Sequence, residues 1–242
     1  MKAENGFLPD LDVIPADVVR KARGFYLNYP NNPTGACATP EFLEKLVSFA
    51  RENDIAIAYD NPYIDVVFDG EKPLSILSIE GAKDVAVEFN SFSKPFNMTG
   101  WRLGMALGCP TIISAMAQVK SNTDSGVFNA VQYAGIAGLK QCAAEIDAML
   151  AVYDRRRRLA HDTLNGLGWD CTPPRGTFYL WVRTPNDRPA AEVCAEVFEK
   201  AHVVLTPGNA YGEFGEGYVR LSMTVSDARL EQAMDRLRKA FG

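Results

Sequence analysis

Apolar residues recur at two different periods along this chain, and the alternation between them lays out its architecture. Short apolar runs at Phe25-Tyr26-Leu27-Asn28, at 55–59, at 85–89 and at 103–108 read as strands, those at 55–59 and 85–89 as buried ones. Between the first two, Phe42, Leu43, Leu46, Val47 and Ala50 follow a helical period behind Thr39 as N-cap and Pro40 at the first helical position. Further helical patterns occupy roughly 110–121, 127–139 and 142–165. Short strands interleaved with helices predict a parallel α/β sheet. From about Gly166 the character changes. Gly166 and Gly168 end the long helix and Pro173-Pro174 mark a loop. Short strands follow near 177–183, 203–206 and 217–223, with helices near 189–200 and 226–241. The expected division is a large α/β domain over 1–155 and a small α+β domain over 156–242, bridged by the helix near 142–165. No internal repeat and no low-complexity tract interrupts this pattern.

Composition narrows the function classes. With 242 residues and 47% hydrophobic, the chain supplies the core of one large domain or a domain and a half. A net charge of -5 with no basic block argues against nucleic acid as a partner. The densest basic run, Arg155 to Arg158, sits in the long helical pattern and reads as a solvated face. Cys37, Cys109, Cys142, Cys171 and Cys194 are odd in number and never paired as C-x-x-C, which reads as reduced thiols in a cytoplasmic protein. His161 and His202 are the only histidines, so histidine metal sites and serine–histidine triads have little support. No segment approaches the roughly 18 uninterrupted apolar residues that span a bilayer, and Met1-Lys2-Ala3-Glu4 does not lead into a signal-peptide core. Neither a membrane nor a metal enters the expectation.

The polar residues that remain fall at strand ends. The strand at 25–28 runs into Tyr29-Pro30-Asn31-Asn32-Pro33-Thr34-Gly35. The strand at 55–59 ends at Asp60-Asn61-Pro62-Tyr63, and the strand at 85–89 at Asn90-Ser91-Phe92-Ser93-Lys94. Ligands of open α/β sheets bind beyond the carboxyl ends of the strands. One such ending is an ordinary polar loop; together they deliver an amide, a carboxylate with a phenol, and a hydroxyl pair with an amine.

A cofactor that works as an electron sink calls for this set. An imine-forming lysine must reach its neutral amine, which requires a setting that lowers its pKa. A pyridine nitrogen that stays protonated requires a carboxylate beside it. A phosphate requires hydroxyls and a guanidinium. Arg102, eight residues after Lys94, is placed to fold back toward the same phosphate as Ser91.

Taken together, Asn31-Asn32-Pro33-Thr34-Gly35, Asp60-x-x-Tyr63 and Ser91-x-Ser93-Lys94 with Arg102 resemble the fold-type I, class I/II aminotransferases over essentially the whole chain. The stretches 90–104 and 119–128 look most like the LL-diaminopimelate aminotransferase subgroup. The resemblance implies part of the large PLP-transferase domain, a mostly parallel sheet with flanking helices, plus a small C-terminal α+β domain. It implies pyridoxal 5'-phosphate as cofactor, amino-acid and 2-oxo-acid substrates, and a homodimer. In that reading Lys94 carries the internal aldimine and shuttles the proton between substrate Cα and cofactor C4′, and Asp60 pairs with the pyridinium nitrogen. Asn32 and Tyr63 hydrogen-bond the ring oxygen, while Ser91, Ser93 and Arg102 hold the phosphate. Arg220, in Tyr218-Val219-Arg220-Leu221-Ser222, grips the substrate α-carboxylate bidentately, and Asn32 also binds substrate. Family members carry about 140 further residues before the equivalent of Met1, a domain's worth. The chain is therefore expected to be truncated at its N-terminus and inactive or barely active alone.

Blander readings exist for each residue. Asp60 closes a turn with Pro62, Asn32-Pro33-Thr34-Gly35 is a good turn sequence, Tyr63 packs, Arg102 pairs with a structural carboxylate, and Arg220 faces solvent. Ser91-x-x-Lys94 also matches the nucleophile motif of class A β-lactamases, but S-D-N and K-T-G are missing. Gly212-x-x-Gly215-x-Gly217 lacks the spacing of a dinucleotide loop. A β-eliminating lyase with the same cofactor, and a non-catalytic binding module, stay open as alternatives.

Overall fold

Parallel strand pairing organises the first of two compact units in the computed structural model, which describes residues 2–242. This unit comprises Leu8–Pro30 and Cys37–Ala148. After α1 (Ala16–Lys21) the chain enters β1 (Gly24–Asn28), α2 (Pro40–Glu52), β2 (Ala56–Asp60), α3 (Ala82–Val85), β3 (Ala86–Ser91) and β4 (Gly104–Gly108). The helices α4 (Pro110–Thr123) and α5 (Asn129–Gln141) follow, and the start of α6 (Ala143–Gly166) closes the unit. The sheet order is β1-β2-β3-β4. The first three strands are parallel, and β4 returns antiparallel to β3.

Local chemistry explains the elements. The Thr39 hydroxyl accepts from the Phe42 amide at 3.2 Å, and Pro40 needs no amide partner in the first turn, so α2 starts where the sequence predicts. Leu43, Leu46, Val47 and Ala50 form its buried stripe, and the helix packs on β2. Register aligns Asn28 with Asp60 and Asp60 with Phe89, so three carboxyl ends open on one edge of the sheet. On α5 the buried residues are Gly135 and Gly138. A Cβ at 135 would lie 2.5 Å from Leu103 Cδ2, and one at 138 would lie 3.2 Å from Phe96 Cδ1. That helix therefore rests directly on the segment between β3 and β4.

The second unit comprises the chain up to Phe7, Asn31–Ala36 and Met149–Gly242. It contains most of α6, then β5 (Tyr179–Arg183), α7 (Ala190–Ala201), β6 (Thr206–Pro207), β7 (Tyr218–Ser222) and α8 (Asp227–Phe241). Its sheet runs β5-β7-β6 and is antiparallel throughout. Val219, Leu221 and Met223 are buried, together with Val193 and Val197 of α7 and Leu230, Met234 and Leu237 of α8. The strand expected near 203–206 is only the two residues Thr206–Pro207, which pair with Arg220 and Val219.

The run Arg155 to Arg158 is not a single solvated face. Arg155 and Arg158 are exposed, but Arg157 is 3% exposed, bonded to Asp154 and the Pro174 carbonyl. Arg156 pairs with Asp227 and the Met223 carbonyl. Helical spacing turns half of a basic run inward, where carboxylates and carbonyls meet it. All five cysteines are free thiols. Among the described residues no helix is long and apolar enough to cross a membrane, and no histidine, cysteine, aspartate and glutamate group has metal-binding geometry.

Candidate active site

Asp60 sits at the tip of β2, the central parallel strand, between β1 and β3. Its Oδ2 accepts from the Tyr26 hydroxyl at 2.9 Å and from Asn28 Nδ2 at 3.3 Å. Both donors lie on β1, and register pairs Asn28 directly with Asp60. Burial raises the Asp60 pKa, while the Tyr26 hydrogen bond and the Lys94 charge pull it back down. The Tyr26 ring is exposed, but its hydroxyl is turned onto the carboxylate. Burial of that hydroxyl, then its bond to Asp60 and the Asp60 charge, push its pKa up to about 12.

Lys94 follows the end of β3. Its pKa is lowered, first by burial and then by the like charge of Arg102, with Asp60 acting in the opposite sense. An amine biased toward its neutral form is what imine chemistry and proton abstraction require. Lys94 Nζ lies 5.6 Å from the ring centroid of buried Tyr63. Arg102 comes near because β4 pairs back along β3: Ser91 aligns with Gly104, and the Phe92 amide bonds the Leu103 carbonyl at 3.2 Å. Arg102 itself has φ +54° and donates to the Thr99 carbonyl at 3.1 Å. The Ser91 hydroxyl accepts from the Ser93 amide at 3.2 Å. One unit thus gathers Lys94, Asp60, Tyr63, Ser91, Ser93 and Arg102, a donor set suited to a phosphorylated pyridine carbonyl compound.

Arg220 and Asn32 belong to the other unit and are bonded to each other. Arg220 Nη1 donates to Asn32 Oδ1 at 2.8 Å. The guanidinium lies 4.2 Å from the Tyr179 ring centroid and 5.0 Å from that of Tyr211. Its Nε is buried without a hydrogen-bond partner. A guanidinium stacked on an aromatic ring and oriented by an amide has the planar, fixed geometry that suits a carboxylate. Asn32 is presented by a tight turn in which Asn31 Oδ1 accepts from the Thr34 amide and hydroxyl, at 3.2 and 2.7 Å.

Sequence reading missed Tyr26 and Asn28. Their signal was available: both are polar, and they alternate on one face of a strand whose other positions are apolar. What reveals their role is the register with Asp60, which only pairing supplies.

Comparison with known proteins gives the same direction. The family described as aminotransferase class I and II matches residues 1–237. An LL-diaminopimelate aminotransferase of Halothermothrix orenii is 48% identical over 237 residues, 98% of this chain and 61% of that protein. One from Moorella thermoacetica is 48% identical over 242 residues, 100% of this chain and 62% of its own length. The solved structure of apo-BacF from Bacillus subtilis superposes with a TM-score of 0.94 at 38% identity, covering 99% of this chain and 65% of that one. A probable N-succinyldiaminopimelate aminotransferase from Thermus thermophilus gives 0.89 at 36%, covering 96% and 62%. The chain therefore spans less than two thirds of the length of these relatives.

Proposed function

Since the chain belongs to the class I and II aminotransferases, we propose that it moves an amino group between an L-amino acid and a 2-oxo acid with pyridoxal 5'-phosphate, the amino acid being of the LL-diaminopimelate type. One observation carries the reading. The half-buried carboxylate of Asp60, held by Tyr26 at the tip of β2, lies beside the end of the paired strand β3, which leads into Lys94, close enough for the two charges to act on each other.

The cofactor, when bound, supplies the electron sink. The chain's own residues supply the rest. Lys94 Nζ, biased toward the neutral amine, would hold the cofactor through its carbonyl carbon and would accept a proton from the substrate and return it. Tyr26 and Asn28 both engage Oδ2 of Asp60, leaving Oδ1 to keep a ring nitrogen protonated. The hydroxyls of Ser91 and Ser93 and the guanidinium of Arg102 suit a phosphate, and Tyr63 and Asn32 suit a ring oxygen. Arg220, oriented by Asn32 and Tyr179, binds the α-carboxylate through its planar fork. The reading extends to a homodimer working in the cytoplasm.

Pyridoxal 5'-phosphate should give the chain an absorbance band that Lys94→Ala abolishes, and any glutamate formed from LL-diaminopimelate and 2-oxoglutarate, however little, should vanish with it. Absence of both glutamate and a Lys94-dependent absorbance band would refute the proposal. Pyruvate and ammonia from a β-substituted amino acid would redirect it to a lyase.

A further inference from the structure

Beneath the strand tips lies a carboxylate that the proposed chemistry does not use. Glu88, in β3, is 2% exposed. Its Oε1 accepts from Asn90 Nδ2 at 3.0 Å and Asn61 Nδ2 at 3.2 Å, and its Oε2 from the Ser75 hydroxyl at 2.6 Å and the Ile76 amide at 2.9 Å. None of these donors is a cation. An apolar side chain of similar size would fill the place without the cost of desolvating a carboxylate. It would not hold two amides from neighbouring strand ends.

Those amides matter because of what adjoins them. Asn61 follows Asp60 and leads through Pro62 to Tyr63; Asn90 precedes Ser91. Asn61 is fully buried and further fixed by its amide to the Phe89 carbonyl at 2.8 Å and by Nδ2 to the Leu74 carbonyl at 3.1 Å. Asn90 Nδ2 also reaches the Asn61 carbonyl at 3.3 Å. The two paths from Glu88 through Asn61 and Asn90 therefore each end one residue short of a proposed cofactor-binding group.

We propose that Glu88 is a positioning residue that clamps the end of β2 to the end of β3 through Asn61 and Asn90, and so sets the placement of Asp60 and Tyr63 relative to Ser91 and Lys94. What those groups do rests on the function proposed above; that Glu88 holds them rests on the hydrogen bonds alone.

Glu88→Gln tests it, because a Gln amide would turn its N–H donors toward either the two asparagine amides or Ser75 with the Ile76 amide, and among these only the Ser75 hydroxyl can accept. Hydrogen exchange is measured on the cofactor-free chain, and pyridoxal phosphate absorbance on the loaded one. In Glu88→Gln, amides of 60–63 and 90–94 should exchange on the order of tenfold faster, while 56–58 and 86–87 keep their protection. The pH midpoint of the Lys94-dependent absorbance should move with them. Ser75→Ala, which cuts a bond on the side away from the strand tips, should loosen 74–78 and leave that midpoint in place. If Glu88→Gln does not fold, Asn90→Ala should give the same loosening at 90–94. Unchanged exchange at both tips, general loosening of the sheet, or a Ser75→Ala effect equal to that of Glu88→Gln would overturn the clamp. A wild-type chain with no Lys94-dependent band would remove the proposed reaction, while the exchange pattern of the cofactor-free chain would still decide whether Glu88 clamps the two tips.

Discussion

The hydroxyl of Tyr26, in the middle of β1, donates to Asp60 at the tip of β2 across 2.9 Å. That bond opposes the rise in Asp60 pKa caused by burial. Tyr26→Phe should therefore move the Asp60 titration midpoint upward, as read by carboxyl-carbon NMR in the cofactor-free protein. Affinity for pyridoxal phosphate should weaken roughly tenfold, the usual effect of losing an outer hydrogen bond to a binding group. A midpoint that stays put would show that burial alone governs Asp60.

Lys94 gives a pH prediction with a definite sign. Its titration, followed by the dimethylamine signal after reductive methylation, should have a midpoint below the ordinary 10.5. Arg102→Gln removes a repelling cation and should raise that midpoint, whereas Asp60→Asn removes an attracting anion and should lower it. Because the folded-state value is depressed, protonation of Lys94 opposes folding at neutral pH. This penalty is relieved as pH rises from the depressed value toward the unfolded one.

Arg220 should separate binding from folding. Replacement by Ala leaves Asn32 Oδ1 and the Tyr179 face without their guanidinium, and should lower kcat/KM by about 10²–10³, roughly 3–4 kcal/mol. Lys should recover little of this, since a point charge does not reproduce a stacked planar fork. Steady-state kinetics read the loss, and circular dichroism should show an unchanged fold.

Gly35 ends the turn that presents Asn32. Its φ is +71°, and a Cβ there would lie 2.4 Å from Pro174 Cβ. Gly35→Ala should destabilise the protein by about 2–4 kcal/mol, the sum of left-handed strain and a backbone-level clash. Urea unfolding measures it directly.

Much of this was legible in advance because it was local. Thr39 with Pro40 marks a helix start, and the apolar runs ending at Asp60 and near Lys94 mark strands, since both follow from neighbours along the chain. The likeness of the strand ends to a known family named Lys94, Asp60 and Arg220 before any pairing was known. What escaped was non-local. Asn28 meets Asp60 through strand register, Arg157 is buried by a Pro174 carbonyl from a later loop, and Glu88 finds donors on three separate segments. In sequence each is merely a polar residue inside a regular element.

The glycines of α5 tie a remote helix to the chemistry. Phe92, against which Gly135 rests, and Phe96, against which Gly138 rests, flank Ser93 and Lys94 in the chain. A methyl group added at 138 meets the Phe96 ring, and one added at 135 meets Leu103 first and then Phe92. Tuning the amine's position therefore need not involve any residue near a ligand. Adding a methyl group on the far helix would act as a spacer behind it, which makes these sites sensitive handles for redesign.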